Sequence, residues 1–232
     1  MLVLTWNLYH GRTVPPAGHD LQREFESAIA GWRWDVALLQ EVPPWWPPGL
    51  AHAAGAEQRT ALTSRNFLLP VRKWIAQRFP DVIKSNGGGA NAILVRGAHI
   101  AEHRIEQLRR FPERRVVHAV RLADGTWVAN LHAQVHSEQR AQADMAKAAA
   151  AVLSWAGPDA PAVLGGDTNT RHPIAPGFAL AGDHGVDHVL ARHLQATAPA
   201  NTLDHGHLSD HAPVFVELNR PSWEGSTTGE RR

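Results

Sequence analysis

Five stretches of the sequence share a pattern in which an apolar run closes on a carboxylate, an amide or an imidazole. They are Leu4-Thr5-Trp6-Asn7, Leu38-Leu39-Gln40-Glu41, Val128-Ala129-Asn130-Leu131-His132, Val163-Leu164-Gly165-Gly166-Asp167-Thr168-Asn169 and Leu208-Ser209-Asp210-His211. Carboxylate and amide oxygens suit hard cations, and imidazole exchanges protons near neutral pH. Strand-end loops held by a rigid sheet are a common place for such groups. Taken singly, each has another explanation: Glu41 as a solvated strand terminus, Asp167-Thr168-Asn169 as an Asx-turn. The chain has no cysteine, which excludes a disulfide scaffold, thiolate zinc sites and a cysteine nucleophile.

The elements that must position these groups follow from periodicity and turn chemistry. Residues 2–6 read as a strand ending at Asn7 and the turn residues His10-Gly11. Leu21, Phe25, Ala28, Ile29 and Trp32 fall at helical spacing after Asp20, a candidate N-cap. Residues 35–40 read as a buried strand, so strand, helix and strand form a right-handed unit with parallel strands. The proline-rich segment 43–49 is expected to be irregular. A short helix is expected over 71–79 and strands over 90–95, 98–107, 115–122 and 127–131, with Asp124-Gly125 turning the last hairpin. Ser137 caps an alanine-rich helix that runs to about Trp155 and stops at Gly157-Pro158. Further strands are expected over 162–166, 186–190, 194–198 and 213–218. Hairpins and crossovers together point to one domain over 1–220, with two packed sheets and outer helices. The polar, aperiodic residues 221–232 are expected to form a disordered tail.

Of 232 residues, 44% are hydrophobic and 19% charged, which supplies a sizeable core and excludes wholesale disorder. The formal net charge of +1 is too even to argue for nucleic acid by itself. Arg104, Arg109, Arg110, Arg114 and Arg115 cluster locally, either as a solvated strand edge or as a phosphate-binding patch. The N-terminus has no basic start followed by an apolar run of signal-peptide length, and no stretch approaches the roughly 20 apolar residues of a membrane span. A cytoplasmic monomer is the expectation.

In combination and in this order, these segments resemble the endonuclease/exonuclease/phosphatase superfamily, the fold of pancreatic-type deoxyribonuclease, exonuclease III and neutral sphingomyelinases. The resemblance runs from Trp6-Asn7 to Asp210-His211-Ala212-Pro213-Val214, and Gly165-Gly166-Asp167-Thr168-Asn169 with Ser209-Asp210-His211 carries most of it. It implies an α/β (α+β) fold of the DNase I-like kind: a four-layer sandwich of two mixed β-sheets flanked by helices. It also implies a metal-dependent phosphoesterase. Glu41 resembles the main metal carboxylate, with Asn7 beside it and Asp210 closing the site, and oxygen ligands without thiolate suit Mg²⁺ or Mn²⁺. His211 resembles the catalytic histidine and Asp187 the carboxylate that orients it. Asp167 and Asn169, two apart and so on one side of an extended backbone, are expected to hold the attacking water and a phosphoryl oxygen. His132 resembles the second histidine, placed to contact the phosphate or assist the leaving oxygen.

Subfamily features are fewer. Tyr9 stands where abasic-site nucleases carry an amide or acid, and neither the DNA-grasping insertions of repair enzymes nor the membrane-docking hairpin of secreted sphingomyelinases has a counterpart. Trp45 and Trp46, after Glu41, are expected either to stack on a base or lipid-like group or to cap the core edge. Asn91, Arg114 and Arg115 are further candidates for substrate contact, and Arg65 and Arg72 for phosphate by charge alone. His205-Gly206-His207 invites a zinc reading but lacks companion ligands, while His136, His172, His184 and His188 are expected at the surface or behind the site. The expected activity is hydrolysis of phosphodiesters, with nucleic acid favoured as substrate. A lipid or small-molecule phosphate ester is the alternative, and a non-catalytic binding module the third.

Overall fold

The computed structural model describes residues 1–64, 66–79 and 89–221. Arg65 and residues 222–232 of the expected tail lie outside the described residues. The first half contains β1 (Leu2–Asn7), α1 (Gln22–Gly31), β2 (Val36–Val42), α2 (Pro47–Ala54), β3 (Glu57–Leu62), α3 (Leu69–Arg78) and β4 (Ala90–Val95). There follow β5 (Ile100–Arg109), β6 (Arg115–Leu122), β7 (Trp127–His132), α4 (Glu138–Ala156), β8 (Ala162–Asp167), β9 (Ala179–His184) and β10 (Asp187–Arg192). Two short strands, β11 (Gln195–Ala196) and β12 (Asn201–Thr202), precede β13 (Val214–Asn219).

The strands form two sheets. One has the order β11-β13-β1-β2-β4-β3, with β12 also pairing β13, and the other the order β5-β6-β7-β8-β10-β9. Each is mixed, with one parallel pair at its centre: β1 with β2, joined through α1, and β7 with β8, joined through α4. The alternation along each strand sorts side chains between two faces. Val3, Val36, Leu38, Ile93, Val120, Val128, Val163 and Val189 fill the space between the sheets. Leu4, Trp6, Ala37 and Leu39 turn outward to Phe25 and Ile29 of α1 and Leu50 of α2. Ala129, Leu131 and Leu164 turn outward to Met145, Ala148 and Val152 of α4. Helices, sheet, sheet and helix stack as four layers, and the fold class expected from the sequence is the one observed.

Several elements depart from the expectation. The segment 43–49 is not irregular throughout, because α2 begins at Pro47. Proline is tolerated there, since the first turn of a helix has no use for its missing N–H. Strands β3 and β9 are unanticipated; their residues are mostly half-buried or exposed and give no apolar alternation. Asp20, the expected cap of α1, accepts from Gln22 N at 3.1 Å but stands one residue before the N-cap position, which Leu21 takes, while Ser137 caps α4 through Arg140 N as expected. Among the described residues no helix is long and apolar enough to cross a membrane.

Candidate active site

The carboxyl ends of both parallel pairs meet at one edge of the sandwich. Asn7 ends β1 opposite Gln40 of β2, and His132 ends β7 opposite Asp167 of β8. Asp187 opens β10 directly across from Asp167. Asn7, His132 and Asp167 line a cavity of about 360 Å³, whose walls also include Glu41, Asn169, Asp210 and His211; Gln40 and Asp187 are not in its wall.

Glu41 reaches the cavity through a distortion of β2. The pairing of β2 with β4 shifts register between Leu39 and Val42, and Glu41 takes a left-handed backbone with φ of 51°. A bulge of this kind re-aims a side chain next to a site. Beside it, the carbonyls of Leu39 and Ala92 both accept from Asn130 Nδ2 of the opposite sheet at 2.9 Å, and Asn130 Oδ1 accepts from Gln40 Nε2 at 2.8 Å. A fully buried amide pair thus satisfies the carbonyls beside the bulge.

Asp167 depends on Gly166. The glycine has φ of 136°, and a Cβ there would lie 2.0 Å from the Leu131 carbonyl oxygen of β7. Only glycine admits that approach. Beyond Asp167 the backbone is not extended: Asn169 has φ of 50°, and its N–H donates to Asp167 Oδ1 at 3.0 Å. The Asx-turn is therefore present, and it is the turn rather than strand alternation that brings both side chains to the cavity. Asn169 Nδ2 donates to Ala133 O at 3.0 Å.

The Ser-Asp-His segment is clasped to β1. Ser209 Oγ donates to Asn7 O at 2.6 Å and accepts from His211 N at 3.1 Å, while Trp6 Nε1 donates to His211 O at 2.8 Å. His211 Nδ1 lies 2.7 Å from Asp187 Oδ2. Asn7 Nδ2 donates to Asp167 Oδ2 at 2.9 Å, and His132 Nε2 lies 3.4 Å from the same oxygen.

Burial and like charge set the electrostatics. Glu41 is pushed up to about 7, first by desolvation and then by the Asp167 charge. Asp167 rises to about 6, again by desolvation and then by Asp187. For His211, burial opposes protonation, but the hydrogen bond and charge of Asp187, with Asp167 and Asp210, outweigh it and raise the group to about 9. His132 is held well below the ordinary histidine range by burial and by Arg115. Its approach to Asp167 is therefore that of a neutral ring, not an ion pair. Two buried carboxylates forced toward neutrality beside oxygen donors fit a divalent cation, whose charge would relieve both. The tightest grouping of acidic and imidazole atoms among the described residues is Asp167, Asp187 and His211, within 4.8 Å of one another. There the His211 Nδ1 is already committed to Asp187, so this grouping is a hydrogen-bonded dyad beside a carboxylate.

Not every candidate gathers here. Trp46 is 2% exposed and packs on Phe25 at 5.4 Å between ring centroids, so it belongs to the core and does not line the cavity. Trp45 lines a separate cleft with Leu21 and Pro43. Asn91 is buried on the inter-sheet side of β4 and does not line the cavity; neither amide atom has a hydrogen-bond partner among the described residues. Arg114 is exposed beside a smaller recess that it shares with Glu41, Ser64 and Arg115. Arg115 lines both hollows, with Nη2 2.5 Å from Glu113. Arg104 and Arg109 of the basic cluster pair with Glu102 and Asp144. His188 is fully buried and bonded to Thr168 Oγ1 at 2.9 Å, whereas His172 and His184 are exposed. His205 and His207 do not line the cavity.

Tyr9, His10, Arg12 and His136 all line the cavity wall: His10 and Arg12 were missed by sequence reasoning, Tyr9 was read only as a subfamily position, and His136, expected at the surface or behind the site, is in the wall itself. The first three follow Asn7 within five residues, and that proximity is the only sequence signal they carry. His10 Nε2 lies 3.1 Å from Glu41 Oε2, and the Arg12 guanidinium sits 5.4 Å from the centre of the Tyr9 ring.

Comparisons with known proteins agree with this fold. The model of the endonuclease/exonuclease/phosphatase family matches residues 4–211. The chain belongs to that family. No curated protein matches the sequence. Among solved structures, the human Nocturnin catalytic domain with bound sulfate anion superposes with a TM-score of 0.72 at 17% identity, covering 95% of this chain and 94% of that one. An endonuclease/exonuclease/phosphatase from Beutenbergia cavernae gives 0.70 at 19% identity, over 95% and 71% of the two chains. The mannosyl-6-phosphatase of Bacteroides thetaiotaomicron gives 0.69 at 15% identity, over 94% and 99%. At these identities the likeness is one of fold.

Proposed function

We propose that this protein is a divalent-cation-dependent phosphoesterase that cleaves its substrate by in-line attack of water, without a covalent enzyme intermediate. The observation that carries the reading is the convergence of Glu41, Asp167, His132 and His211 on one cavity, with both carboxylates pushed toward neutrality. Glu41, Asn7 and Asp210 are the oxygen donors that would hold Mg²⁺ or Mn²⁺. The cation supplies neutralisation of charge on the phosphate and its departing oxygen.

The remaining work falls to the chain's own groups. Asp187 fixes His211 with Nδ1 toward the carboxylate, leaving Nε2 directed at the cavity. At neutral pH His211 carries its proton and Asp167 is largely ionised, so Asp167 is the group able to accept a proton from water, and His211 donates to a phosphoryl oxygen. Asn7 and the Asn169 amide hold Asp167 in place. Neutral His132 has a ring N–H to offer the phosphate or the departing oxygen.

Nucleic acid remains a candidate substrate class, with the Tyr9 ring and Arg12 on the rim suited to a base and a phosphate. A second reading, a small phosphate ester, is favoured by the cavity's modest volume and by the pairing of Arg104, Arg109 and Arg115 with the chain's own acids. The test is a metal-titrated hydrolysis assay on plasmid DNA, oligonucleotides, bis-p-nitrophenyl phosphate and p-nitrophenyl phosphate, with Glu41→Ala as blank. Cation-dependent turnover absent from Glu41→Ala is expected. Turnover unaffected by chelator or by that substitution overturns the reading, and the substrate cleaved decides between the two classes.

A further inference from the structure

The stretch Tyr9-His10-Gly11 holds three consecutive residues with positive φ, at 48°, 54° and 73°. Glycine takes this conformation freely, but tyrosine and histidine are strained in it. The turn is closed by Gly11 N to Leu8 O at 2.8 Å and Arg12 N to Tyr9 O at 3.1 Å, and Tyr9 N is anchored on Asn7 Oδ1 at 2.9 Å. Gly11 lies so close to the buried ring of Trp46 that a Cβ there would stand 2.2 Å from it. Strained residues of this kind persist only where the surroundings over-determine them, and they cluster at functional sites.

The outcome of the strain is specific. It points the His10 ring into the cavity wall, with Nε2 3.1 Å from Glu41 Oε2, while Glu41 Oε1 faces His132 Nδ1 at 3.8 Å. Glu41 is itself at a bulge with positive φ, so two distorted backbone segments, the turn that follows β1 and the bulge of β2, bring these side chains together. A carboxylate with one oxygen held by an imidazole N–H keeps the other oxygen in a fixed direction, as the outer partners of metal ligands do. We infer that His10 is a positioning residue for Glu41, holding one carboxylate oxygen so that the other is presented to a divalent cation. The inference rests on Glu41 being the cation carboxylate.

The test uses the full chain with His10→Gln, His10→Ala, His10→Gly and Glu41→Ala. Mn²⁺ affinity is read from the electron paramagnetic resonance signal of the free ion, and thermal stability is measured alongside. Glutamine carries an N–H close to the place of Nε2 and is expected to keep the affinity within about threefold. Alanine and glycine are expected to weaken it about tenfold or more. The glycine variant should melt no lower than the wild type, because it removes the backbone strain. Affinity within twofold of wild type in both alanine and glycine variants overturns the inference. So does a fall in stability, or a failure to fold, shared by all three His10 variants, which would assign His10 to the fold. Mn²⁺ binding that is absent from the wild type, or unchanged in Glu41→Ala, instead overturns the cation site itself.

Discussion

Asn7 Nδ2 donates to Asp167 Oδ2 at 2.9 Å, across 160 positions of sequence and from one sheet to the other. The bond ties the end of β1 to the end of β8, so the amide expected beside the cation and the carboxylate expected to handle water are a single unit. Neither sheet alone contains a site. Each supplies the end of one parallel pair, and the chemistry lies in the seam.

The His211–Asp187 pair makes a prediction about pH. The folded-state value of His211, about 9, lies above the ordinary 6.5, so its contribution to stability is complete below pH 6.5 and lost as pH rises through 9. Asp187→Asn should remove most of that slope, worth on the order of 3 kcal/mol at most. Turnover should drop about 10²- to 10⁴-fold. Titration of the His211 ring by NMR in both proteins checks the shift. A His211 that still titrates near 9 in the variant would show that another group holds its proton.

Cation binding should release protons near neutrality. Glu41 without a cation is protonated up to about pH 7, and a cation requires it ionised. Mn²⁺ affinity should therefore fall by up to about tenfold for each pH unit below 7. In the metal-free protein the same raised value makes Glu41 favour the fold below pH 4.5 and lose that contribution as pH rises through 7. Added cation should then raise the melting temperature more at pH 8 than at pH 5. Calorimetry in two buffers of different ionisation enthalpy counts the protons, and a count of zero at pH 6 contradicts the expectation.

Gly166→Ala should be severe although it adds one methyl. The new Cβ meets the Leu131 carbonyl oxygen at 2.0 Å, and φ of 136° is unfavourable for alanine. A loss of about 2–4 kcal/mol is expected, from strain together with displacement of β7 from β8. Urea denaturation measures it. A loss under about 1 kcal/mol would mean that the strand pair yields more easily than the geometry implies.

The central strands were legible because Leu38, Leu39, Val163 and Leu164 are buried on both sides, which gives unbroken apolar runs ending in polar groups; of the two parallel pairs only β1 with β2 was read as such. Strand β9 left no such trace, because Ala179, Leu180, Asp183 and His184 face solvent and the rule of inward apolar residues says nothing about an edge. His10 was hidden for a different reason. Its direction is set by a left-handed backbone, which sequence signals reliably only through glycine, and Gly11 marks the turn without showing where the preceding ring points. Trp46 followed Glu41 closely enough to seem part of the rim, yet the prolines that were expected to forbid helix begin α2 and carry the ring into the core.

The buried bond set of Asn130 has a mechanical consequence. Two apolar faces in contact tolerate sliding, because dispersion and hydrophobic burial have little directional preference. Asn130 reaches from one sheet to two carbonyls and a glutamine of the other, and only one offset between the sheets satisfies all three. The amide acts as an index pin in an otherwise lubricated joint. Groups borne on separate sheets thereby keep a common alignment without a covalent tie between them.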